Sequence, residues 1–352
     1  MERKLASLQK ISSISPIYVQ ADGAEAANIC QVTVGGWRLI ANKADFKVGD
    51  LCVYFEIDSV FNPELPWVSE HFAFMKKHKW AVRTLKMNKF MVGDPQRVVI
   101  SQGLAMPLRI IPDIALLFPV LEEGTDLTNW LGITKKPEPI IAVDQKGPFP
   151  AWLRKTDEPR LQSSLKMLEE MHAASEVIIT TKIDGTSCTV WWEDDGLHLA
   201  SRNFEIDATP QSVYRRAVEP YLSIFEQYRC FAFQGEVFGE GIQGNKCNLK
   251  GLHFAVFNIY DRECNAYVPP YHTLDITTKL GIPHVPVVLV HQDFNVVLED
   301  LEQLADNSLY GDANHPAEGI VVRPLHTCPD SPTYGGALSF KVINRKFLLK
   351  YE

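Results

Sequence analysis

The segment Val177-Ile178-Ile179-Thr180-Thr181-Lys182-Ile183-Asp184-Gly185-Thr186 carries the most informative pattern in this chain. Its first five residues are β-branched, which predicts a strand over Val177–Thr181. Lys182 follows at once, with an acid two positions later and Gly185 after it. A strand that leads into a turn holds a lysine rigidly at a pocket edge, and the glycine leaves room for backbone to approach a phosphate. A pattern this short is nevertheless more often an ordinary surface turn.

A lysine that acts as a nucleophile must first lose its proton. The free side chain has a pKa of about 10.4, so the site must lower it with cations, a metal ion or burial. Arg202 and Lys341 are candidate cationic neighbours. Asp184 shares a face with Lys182 if the strand continues, and its carboxylate would then orient a hydrated divalent cation.

Four further segments place a charged residue inside, or at the end of, an apolar strand. They are Ser201-Arg202-Asn203, Gln234-Gly235-Glu236-Val237-Phe238-Gly239, Glu318-Gly319-Ile320-Val321-Val322-Arg323 and Ser339-Phe340-Lys341-Val342-Ile343. A charge buried in this way is costly unless it meets a ligand, a counter-ion or a metal. A solvent-facing edge strand explains each segment singly, but it explains all of them together poorly. The set therefore favours one shared site.

The composition is that of a globular protein with room for two domains. The chain has 352 residues, 46% of them hydrophobic and 22% charged, and a net charge of −8 that argues against a non-specific nucleic-acid coat protein. Its seven cysteines form no CxxC pair, which argues against a zinc site or a disulfide framework. With no secretion signal and no apolar run near the ~20 residues of a membrane helix, we expect an intracellular protein, cytoplasmic or nuclear.

A proline-rich stretch predicts the domain boundary. Pro137, Pro139, Pro148 and Pro150 fall within residues 134–150, which we interpret as a linker between domains at 1–133 and 151–352. Short strands with turn signals predict an all-β barrel in the first domain, and alternation over residues 51–57 marks its clearest strand. In the second domain strands outnumber helices without alternating strictly with them, which predicts an α+β fold with a mainly antiparallel sheet.

Two helices are predicted in the second domain. The first rests on the helical spacing of Leu161, Leu165 and Leu168. The second begins at Thr209-Pro210, a hydroxyl N-cap followed by proline. Its apolar face consists of Tyr214, Ala217, Val218, Tyr221 and Phe225.

The segment Gly239-Glu240-Gly241-Ile242-Gln243-Gly244 is a literal GxGxxG after a strand. A dinucleotide site needs an amphipathic helix directly afterwards. Residues 245–251 offer no such pattern, so we predict a loop.

A basic segment lies in the first domain, with aromatic residues interleaved. Its cations attract phosphates and its rings can stack on unpaired bases. A solvated basic face over core aromatics is the more frequent origin of such a run taken alone. The cations are Lys76, Lys77, Lys79, Arg83, Lys86, Lys89 and Arg97, opposed only by Asp94, and the aromatics are Phe72, Phe74, Trp80 and Phe90.

In order, KxDG at 182–185, SRN at 201–203, GEVFG at 235–239, the strand around Phe257, EGIVV at 318–322 and SFK at 339–341 resemble the ATP-dependent polynucleotide ligase and capping-enzyme superfamily. Residues 155–162 are similar to the segment that RNA ligases carry before their nucleophile. The resemblance implies an α+β chain. Its ATP-grasp-like antiparallel-sheet nucleotidyltransferase domain, of the ligase and capping-enzyme type, would follow an all-β OB-like barrel.

The order of the domains narrows the resemblance. Residues 47–51 and 100–105 resemble the N-terminal OB domain of the fifth RNA ligase family, whose members seal RNA nicks. Typical DNA ligases and capping enzymes carry an OB barrel after the catalytic domain, and only eleven residues follow Lys341 here. In this family context we expect the basic segment to bind RNA.

The resemblance implies specific roles in catalysis. Lys182 would attack the α-phosphorus of ATP and form lysyl–AMP, and Lys341 would stabilise charge in the transition state. Phe257 would stack on adenine with Ile320 on the other face of the base, and Arg160 would serve the phosphates of ATP or of the RNA end. Arg202 and Glu236 would lie near the ribose. The carboxylates expected to hold Mg²⁺ or Mn²⁺ are those of Asp184, Glu236 and Glu318.

The sequence departs from the family pattern at one cation. Many members carry a second lysine two positions after the equivalent of Lys341, where this chain has Ile343. Lys346 or Lys350 is the candidate replacement. Ser187 stands where some RNA ligases have asparagine.

We therefore predict an ATP-dependent RNA ligase that joins 3′-hydroxyl and 5′-phosphate RNA ends, as in a nicked duplex, through lysyl–AMP and RNA-adenylate intermediates. We expect a monomer with no membrane association. Three alternatives stay open: a DNA ligase, a capping-type nucleotidyltransferase that uses GTP, and a catalytically silent RNA-end-binding protein.

Overall fold

The computed structural model describes residues 3–93, 96–111, 113–114, 121–137, 144–311 and 315–351. The chain divides into two compact units. One comprises Met1–Glu138 together with Leu348–Glu352, and the other comprises Pro139–Phe347.

The first unit is a curled antiparallel sheet. Strand β1 lies at the centre of this sheet, because this one long strand pairs with β2, β4 and β6. Its pairing with β2 shifts register twice. The strand order is β3-β2-β1-β4-β8, with β7 paired to β6. The elements are β1 (Ala6–Val19), β2 (Glu25–Val34), β3 (Trp37–Asn42), β4 (Leu51–Phe55), β5 (Ser59–Val60), α1 (Pro66–His71), the 3₁₀ turn Ala73–His78, β6 (Thr84–Val92), β7 (Arg97–Gln102), β8 (Leu104–Pro107), the 3₁₀ turn Leu108–Ile110 and β9 (Thr134–Lys135).

The second unit contains two antiparallel sheets flanked by helices, which confirms the predicted α+β class. The larger sheet has the order β10-β14-β13-β12-β15-β16-β17, and the smaller has the order β18-β11-β19-β20. The elements are β10 (Gln145–Pro148), the 3₁₀ turn Leu161–Ser163, α2 (Lys166–His172), β11 (Val177–Lys182), β12 (Thr186–Glu193), β13 (Gly196–Ala200), β14 (Phe204–Ile206), α3 (Val213–Val218), the 3₁₀ turn Glu219–Tyr221, α4 (Leu222–Gln227), β15 (Phe231–Gly239), β16 (Leu252–Asp261), β17 (Ala266–Tyr267), α5 (Pro270–Leu280), β18 (Val287–His291), α6 (Leu298–Asp306), β19 (Gly319–Pro324), β20 (Phe340–Ile343) and α7 (Arg345–Tyr351), whose last residues belong to the first unit.

The smaller sheet has two chemically different faces. Alternate residues of β11, β19 and β20 are buried in an apolar core with α2 and α6, namely Val177, Ile179, Ile320, Val322, Phe340 and Val342. Side chains alternate across a strand, so the intervening residues lie on the opposite face. That second face carries Thr180 and Lys182 on β11, Val321 and Arg323 on β19, and Lys341 on β20.

The second predicted helix begins later and is shorter than its pattern suggested. Ser212, not Thr209, is the N-cap, since the Ser212 N–H donates to the Thr209 carbonyl and closes a separate turn. The helix ends at Val218, and Glu219–Tyr221 form a 3₁₀ turn. Pro220 is the cause, because proline lacks the N–H that a helix interior needs. The apolar face of the pattern therefore spans two short helices, α3 and α4.

The other local predictions have mixed outcomes. Leu161 lies in a 3₁₀ turn, and the following helix begins only at Lys166. The GxGxxG segment is confirmed as a loop. Within the predicted linker, Gln145–Pro148 pairs with Phe204–Ile206 as part of the larger sheet, whereas Pro139 lies outside the described residues.

Candidate active site

A cleft in the second unit collects polar residues from both of its sheets. It encloses about 530 Å³, including space open to solvent. Its lining combines charged, hydroxyl and apolar side chains: Thr156, Asp157, Glu158, Thr180, Thr181, Lys182, Ile183, Ser187, Arg202, Glu236, Phe257, Val285, Val321, Arg323 and Lys341.

Lys182 lies at the end of β11 and forms an ion pair with Glu318. The antiparallel register sets Lys182 opposite Gly319, so the preceding glutamate falls beside the lysine. Position 319 must be glycine, because a Cβ there would lie 2.2 Å from the carbonyl oxygen of Val342. The pair is thus fixed by strand pairing rather than by flexible side chains.

Burial and the charge of Glu318 shift the pKa values of the carboxyl groups near Lys182. Burial raises the pKa of Glu236 to about 8, although the attraction of Lys182 opposes it. Burial and the charge of Glu318 raise the pKa of Asp184 to about 6. Burial works to lower the pKa of Lys182, but Glu318 and Glu236 outweigh it and the pKa is raised. Lys182 is therefore protonated in this arrangement.

Lys246, from the loop that contains the GxGxxG segment, also reaches this cluster. Its Nζ lies 3.0 Å from Oδ1 of Asp184 and 5.0 Å from the ring centroid of Phe347. The other oxygen of Asp184 is buried and has no hydrogen-bond partner among the described residues. A buried carboxylate oxygen without a partner is costly, and a cation or a bound water would satisfy it.

Gly185 serves packing within the protein. A Cβ at this position would lie 2.4 Å from the carbonyl oxygen of Val237 and 2.9 Å from Cγ of Glu236. The close neighbour that requires glycine at this position is strand β15, and the expectation that Gly185 leaves room for a phosphate stays a prediction. Because Gly185 has no side chain, the turn after Lys182 can lie directly on the strand that carries Glu236.

Lys341 lines the same cleft, close enough for Lys182 to affect its pKa. Its Nζ lies 3.2 Å from Oδ1 of Asp157, and its N–H donates to the carbonyl of Pro159. Burial lowers the pKa of Lys341, helped by Lys182 and Arg160 and opposed by Asp157. Burial works to raise the pKa of Asp157, but Lys341 and Arg202 outweigh it and the pKa is lowered. Asp157 is thus held as a carboxylate among cations.

Phe257 lines the cleft beside a second buried ion pair. The guanidinium carbon of Arg323 lies 5.7 Å from the Phe257 ring centroid, and Arg323 also donates to Glu158 at 2.6 Å. Ile320 is wholly buried in the core on the far face of the sheet. The prediction that it packs on a base is corrected, since strand alternation puts Val321 into the cleft instead.

The remaining predicted residues divide between the cleft and its surroundings. Arg202 and Glu236 line the cleft. The backbone of Arg160 forms an isolated β-bridge with Lys341. Lys346 instead donates to Asn307 at 3.3 Å and is not among the lining residues described. The structure therefore brings Lys182, Arg202, Glu236, Phe257, Glu318 and Lys341 together but leaves Lys346 outside.

Several residues of the cleft and its surroundings were not predicted individually. Asp157 and Glu158 were quoted only within the segment that resembles RNA ligases, and Arg323 only as the end of a motif. Thr180 had a usable signal, because it lies two positions before Lys182 on a strand and so shares its face. Lys246 had none, since its loop approaches Asp184 only in the tertiary structure.

The donor set of the cleft suits a hard divalent cation, although not a tight cage. Within the described ranges, only Glu193, Asp195 and His198 place three potential ligand atoms within 4.8 Å of one another, and each of these is already paired. The carboxylates of Asp184, Glu236 and Glu318 are more widely spaced. An ion among them would be held partly through its water molecules.

In the first unit, most cations of the basic segment are exposed, and Arg83 is half-buried. The aromatics differ, because Phe72 is fully buried whereas Phe74 is 48% exposed. Asp94 lies outside the described residues. None of the helices described has the length and apolarity needed to cross a membrane.

Comparison with known proteins gives two family matches and several similar structures. A family model described as RNA ligase matches residues 175–343, and one described as an OB-fold domain matches residues 5–108. An RNA ligase of Naegleria gruberi solved with pyrophosphate is 29% identical, with a TM-score of 0.81 and 99% of each chain covered. A mutant of the Naegleria gruberi RNA ligase solved with ATP and Mn is 30% identical, with a TM-score of 0.80 and the same coverage. No match was found among curated proteins.

Proposed function

We propose that this chain, which belongs to the RNA ligase family, joins RNA 3′-hydroxyl and 5′-phosphate ends at nicks in a duplex. It is an ATP-dependent RNA ligase that uses a divalent metal ion. The observation that carries the proposal is the cluster of Lys182 with Glu318 and Glu236 in a cleft that also contains Phe257 and Lys341.

The reaction divides into three displacements at phosphorus. Lys182 Nζ attacks the α-phosphorus of ATP, the bond to the β-phosphate oxygen breaks, and pyrophosphate leaves. A 5′-phosphate oxygen of the RNA then attacks the lysyl–AMP phosphorus and restores the amine. Finally the RNA 3′-hydroxyl attacks the activated 5′-phosphorus and AMP leaves. Such displacements depend mainly on positioning and charge neutralisation.

Lys182 must be neutral to attack, yet its carboxylate neighbours hold it protonated. Asp184, Glu236 and Glu318 would hold Mg²⁺ or Mn²⁺, and the unpartnered oxygen of Asp184 supports that assignment. When bound there, the ion supplies positive charge that favours the neutral amine. The structure thus gives a physical reason for a metal requirement at the first step.

Two further cations of the cleft would hold phosphate beside Lys182. Lys341 and Arg202 both act on the carboxylate of Asp157, which is 56% exposed in the ion pair with Lys341. We assign the α-phosphate to this position, where it would replace the carboxylate. Lys341 would then neutralise the charge that develops on phosphorus.

The nucleotide test uses α-labelled ATP with Mg²⁺ or Mn²⁺. Label should remain on the denatured protein and should be absent from Lys182→Ala. Absence of label with every metal, from protein shown by mass spectrometry to be free of AMP, would refute the proposal. Parallel reactions with the other three nucleoside triphosphates separate a capping-type enzyme. Nicked RNA, DNA and hybrid duplexes separate a DNA ligase, and binding without label would indicate a silent RNA-end-binding protein.

We assign RNA binding to the basic segment of the first unit, where Lys76, Lys77 and Lys79 are exposed beside Phe74. Each phosphate contact contributes to binding that weakens with salt. The triple variant K76E/K77E/K79E should lose RNA sealing and its salt dependence but keep self-adenylylation. A charge-matched triple, K10E/K47E/K135E, controls for net charge. Equal loss of both activities would exclude the segment as the RNA surface.

We further propose that the enzyme acts as a monomer. Light scattering at the concentrations used for sealing should give the mass of one chain, 39.7 kDa. A stable dimer would contradict this part of the proposal.

A further inference from the structure

Lys246 contacts the carboxylate of Asp184 from the loop between β15 and β16. Its Nζ lies 3.0 Å from Oδ1 of Asp184, and the two side chains are 25% and 13% exposed. Nζ also lies 5.0 Å from the ring centroid of Phe347, within the range of a cation–π contact. These two contacts restrain the ammonium group, and through it they restrain the carboxylate that it binds.

The loop that carries Lys246 is packed against the protein on both sides of it. Ile242 is buried in the apolar core of the larger sheet, and Cys247 is buried in a second apolar cluster. The loop backbone passes directly over Gly311, since a Cβ at that position would lie 2.0 Å from the Cys247 carbonyl oxygen. The fold therefore fixes the place from which Lys246 reaches Asp184.

The two carboxylate oxygens of Asp184 have different surroundings. Oδ1 accepts from Lys246, whereas Oδ2 is buried and has no hydrogen-bond partner among the described residues. Glu318 is close enough that its negative charge acts on Asp184. A cation or a metal-bound water at Oδ2 would satisfy this oxygen and would offset the repulsion between the two carboxylates. Because Lys246 occupies Oδ1, Oδ2 is the oxygen left for the metal site.

We propose that Lys246 is a positioning residue that holds the Asp184 carboxylate ready to bind the divalent metal ion or its waters. This role rests on the proposed function, since it takes Asp184 as a residue of the metal site. The hydrogen bond restrains rotation of the carboxylate, so less freedom is lost when the ion binds. Outer partners of metal-binding side chains typically contribute about 10- to 100-fold to metal affinity. Lys246 acts through Asp184 and takes no part in bond making.

Charge repulsion alone predicts the opposite result. An ammonium group beside a metal site repels a divalent cation, so its removal would tighten metal binding if Lys246 acted only through its charge. Loss of a positioning contact weakens metal binding instead. The sign of the change in Mn²⁺ affinity therefore decides between the two effects.

The first experiment measures Mn²⁺ binding without any ligation reaction. The EPR signal of free Mn²⁺ is followed as Mn²⁺ is added to the full chain with a fixed concentration of AMP, which cannot adenylylate Lys182 because it has no pyrophosphate to release. K246M should raise the Kd for Mn²⁺ about 10- to 100-fold. K246R keeps a charged donor and should recover most of the affinity. An unchanged or lower Kd in folded K246M would overturn the proposal.

The matched control is K250M. Lys250 lies in the same loop and is exposed, and its substitution changes the net charge by the same amount as K246M. The Kd of K250M for Mn²⁺ should equal that of wild type, and thermal unfolding with EDTA shows whether each variant is folded. Equal changes of Kd in K246M and K250M would assign the effect to net charge and would also overturn the proposal.

The second experiment tests whether Lys246 acts through Asp184. D184A removes the carboxylate that Lys246 contacts, so it should weaken Mn²⁺ binding by itself. Adding K246M to D184A should then change the Kd by less than about threefold, because residues that act as a unit have non-additive effects. Losses that add in the double variant would show that Lys246 does not act through Asp184.

The third experiment follows self-adenylylation as the Mn²⁺ concentration is raised. K246M should need about 10- to 100-fold more Mn²⁺ for half-maximal labelling, yet it should approach the wild-type rate at saturating metal. General damage to the cleft would instead lower labelling at every metal concentration. A reduced maximum rate with an unchanged Mn²⁺ requirement would therefore contradict the positioning role.

These outcomes separate the role of Lys246 from the proposed function. If D184A weakens Mn²⁺ binding and K246M does not, the positioning role fails and the metal site stands. If D184A binds Mn²⁺ as well as wild type does, the assignment of Asp184 to the metal fails, and the role of Lys246 fails with it. If no nucleotide labels Lys182, the proposed function itself fails.

Discussion

We expect the buried carboxyl group of Glu236 to destabilise the folded protein when it is ionised. The carboxyl pKa rises from 4.5 to about 8 because of burial, even though Lys182 attracts the carboxylate. A raised carboxyl pKa means that the folded protein binds more protons than the unfolded chain between those values. Stability therefore falls as pH rises from about 4.5 to about 8, and the full cost is present above pH 8.

The substitution Glu236→Gln removes this cost while it keeps the shape of the side chain. A shift of this size corresponds to about 5 kcal/mol at 1.36 kcal/mol per pKa unit. Solvent screening at a half-buried group reduces the expected gain to about 2 kcal/mol. For a unit of this length that is a rise of about 4–8 °C in Tm. The same change should lower self-adenylylation at least about 100-fold, since Glu236 is assigned to the metal and the ribose.

The assay is thermal unfolding with EDTA and no nucleotide, at pH 6 and pH 8.5. E236Q should unfold at a higher temperature than wild type at pH 8.5, and the difference should shrink at pH 6. E240Q is the matched control. Glu240 is exposed directly after strand β15, and its substitution changes the net charge by the same amount as E236Q. An equal Tm shift at both pH values, or a lower Tm of E236Q at pH 8.5, would refute the reasoning.

Three further predictions concern packing, phosphate binding and pH. G185A should lose about 1–3 kcal/mol of stability and most of its labelling, since the new methyl meets the Val237 carbonyl at 2.4 Å; unchanged Tm would contradict this. D157N should lower the KM for ATP by up to about fivefold, because the exposed pair with Lys341 is worth at most ~1 kcal/mol and competes with phosphate; a higher KM in titrations would exclude that competition. Burial lowers the pKa of His284 to about 4, so the folded protein should lose stability as pH falls from 6.5 to 4. Denaturant unfolding of H284Q should therefore show a weaker pH dependence than that of wild type.

Local pattern was sufficient where a strand fixed the direction of a side chain. Lys182, Glu236 and Lys341 were all predicted from charges within or next to apolar strands, and the cleft contains all three. Period-two alternation leaves only two faces for each side chain, so a costly buried charge is a strong signal. The antiparallel α+β class was predictable because strands outnumber helices in the second domain without alternating strictly with them.

Local pattern failed where the choice between the two faces depended on other elements. Ile320 and Val321 are equally apolar, and only the packing of α2 and α6 on one side of the sheet sends Ile320 into the core. Pro220 was visible in the sequence, yet the amphipathic pattern concealed the break that it imposes on the helix. Lys246 lies in a glycine-rich loop whose path no short-range pattern predicts.

The sequence by itself determined which chemistry the protein carries, because the nucleophile, its acids and its cations follow one another in a recognisable order. The tertiary structure decided which of them touch. Lys182 and Glu318 are 136 residues apart in the chain, and only the pairing of β11 with β19 brings their charges together. Ion pairing depends on distances of a few ångströms, and these are set by strand register and by packing across the sheet. The raised pKa of Lys182 is therefore a property of the fold rather than of its motif.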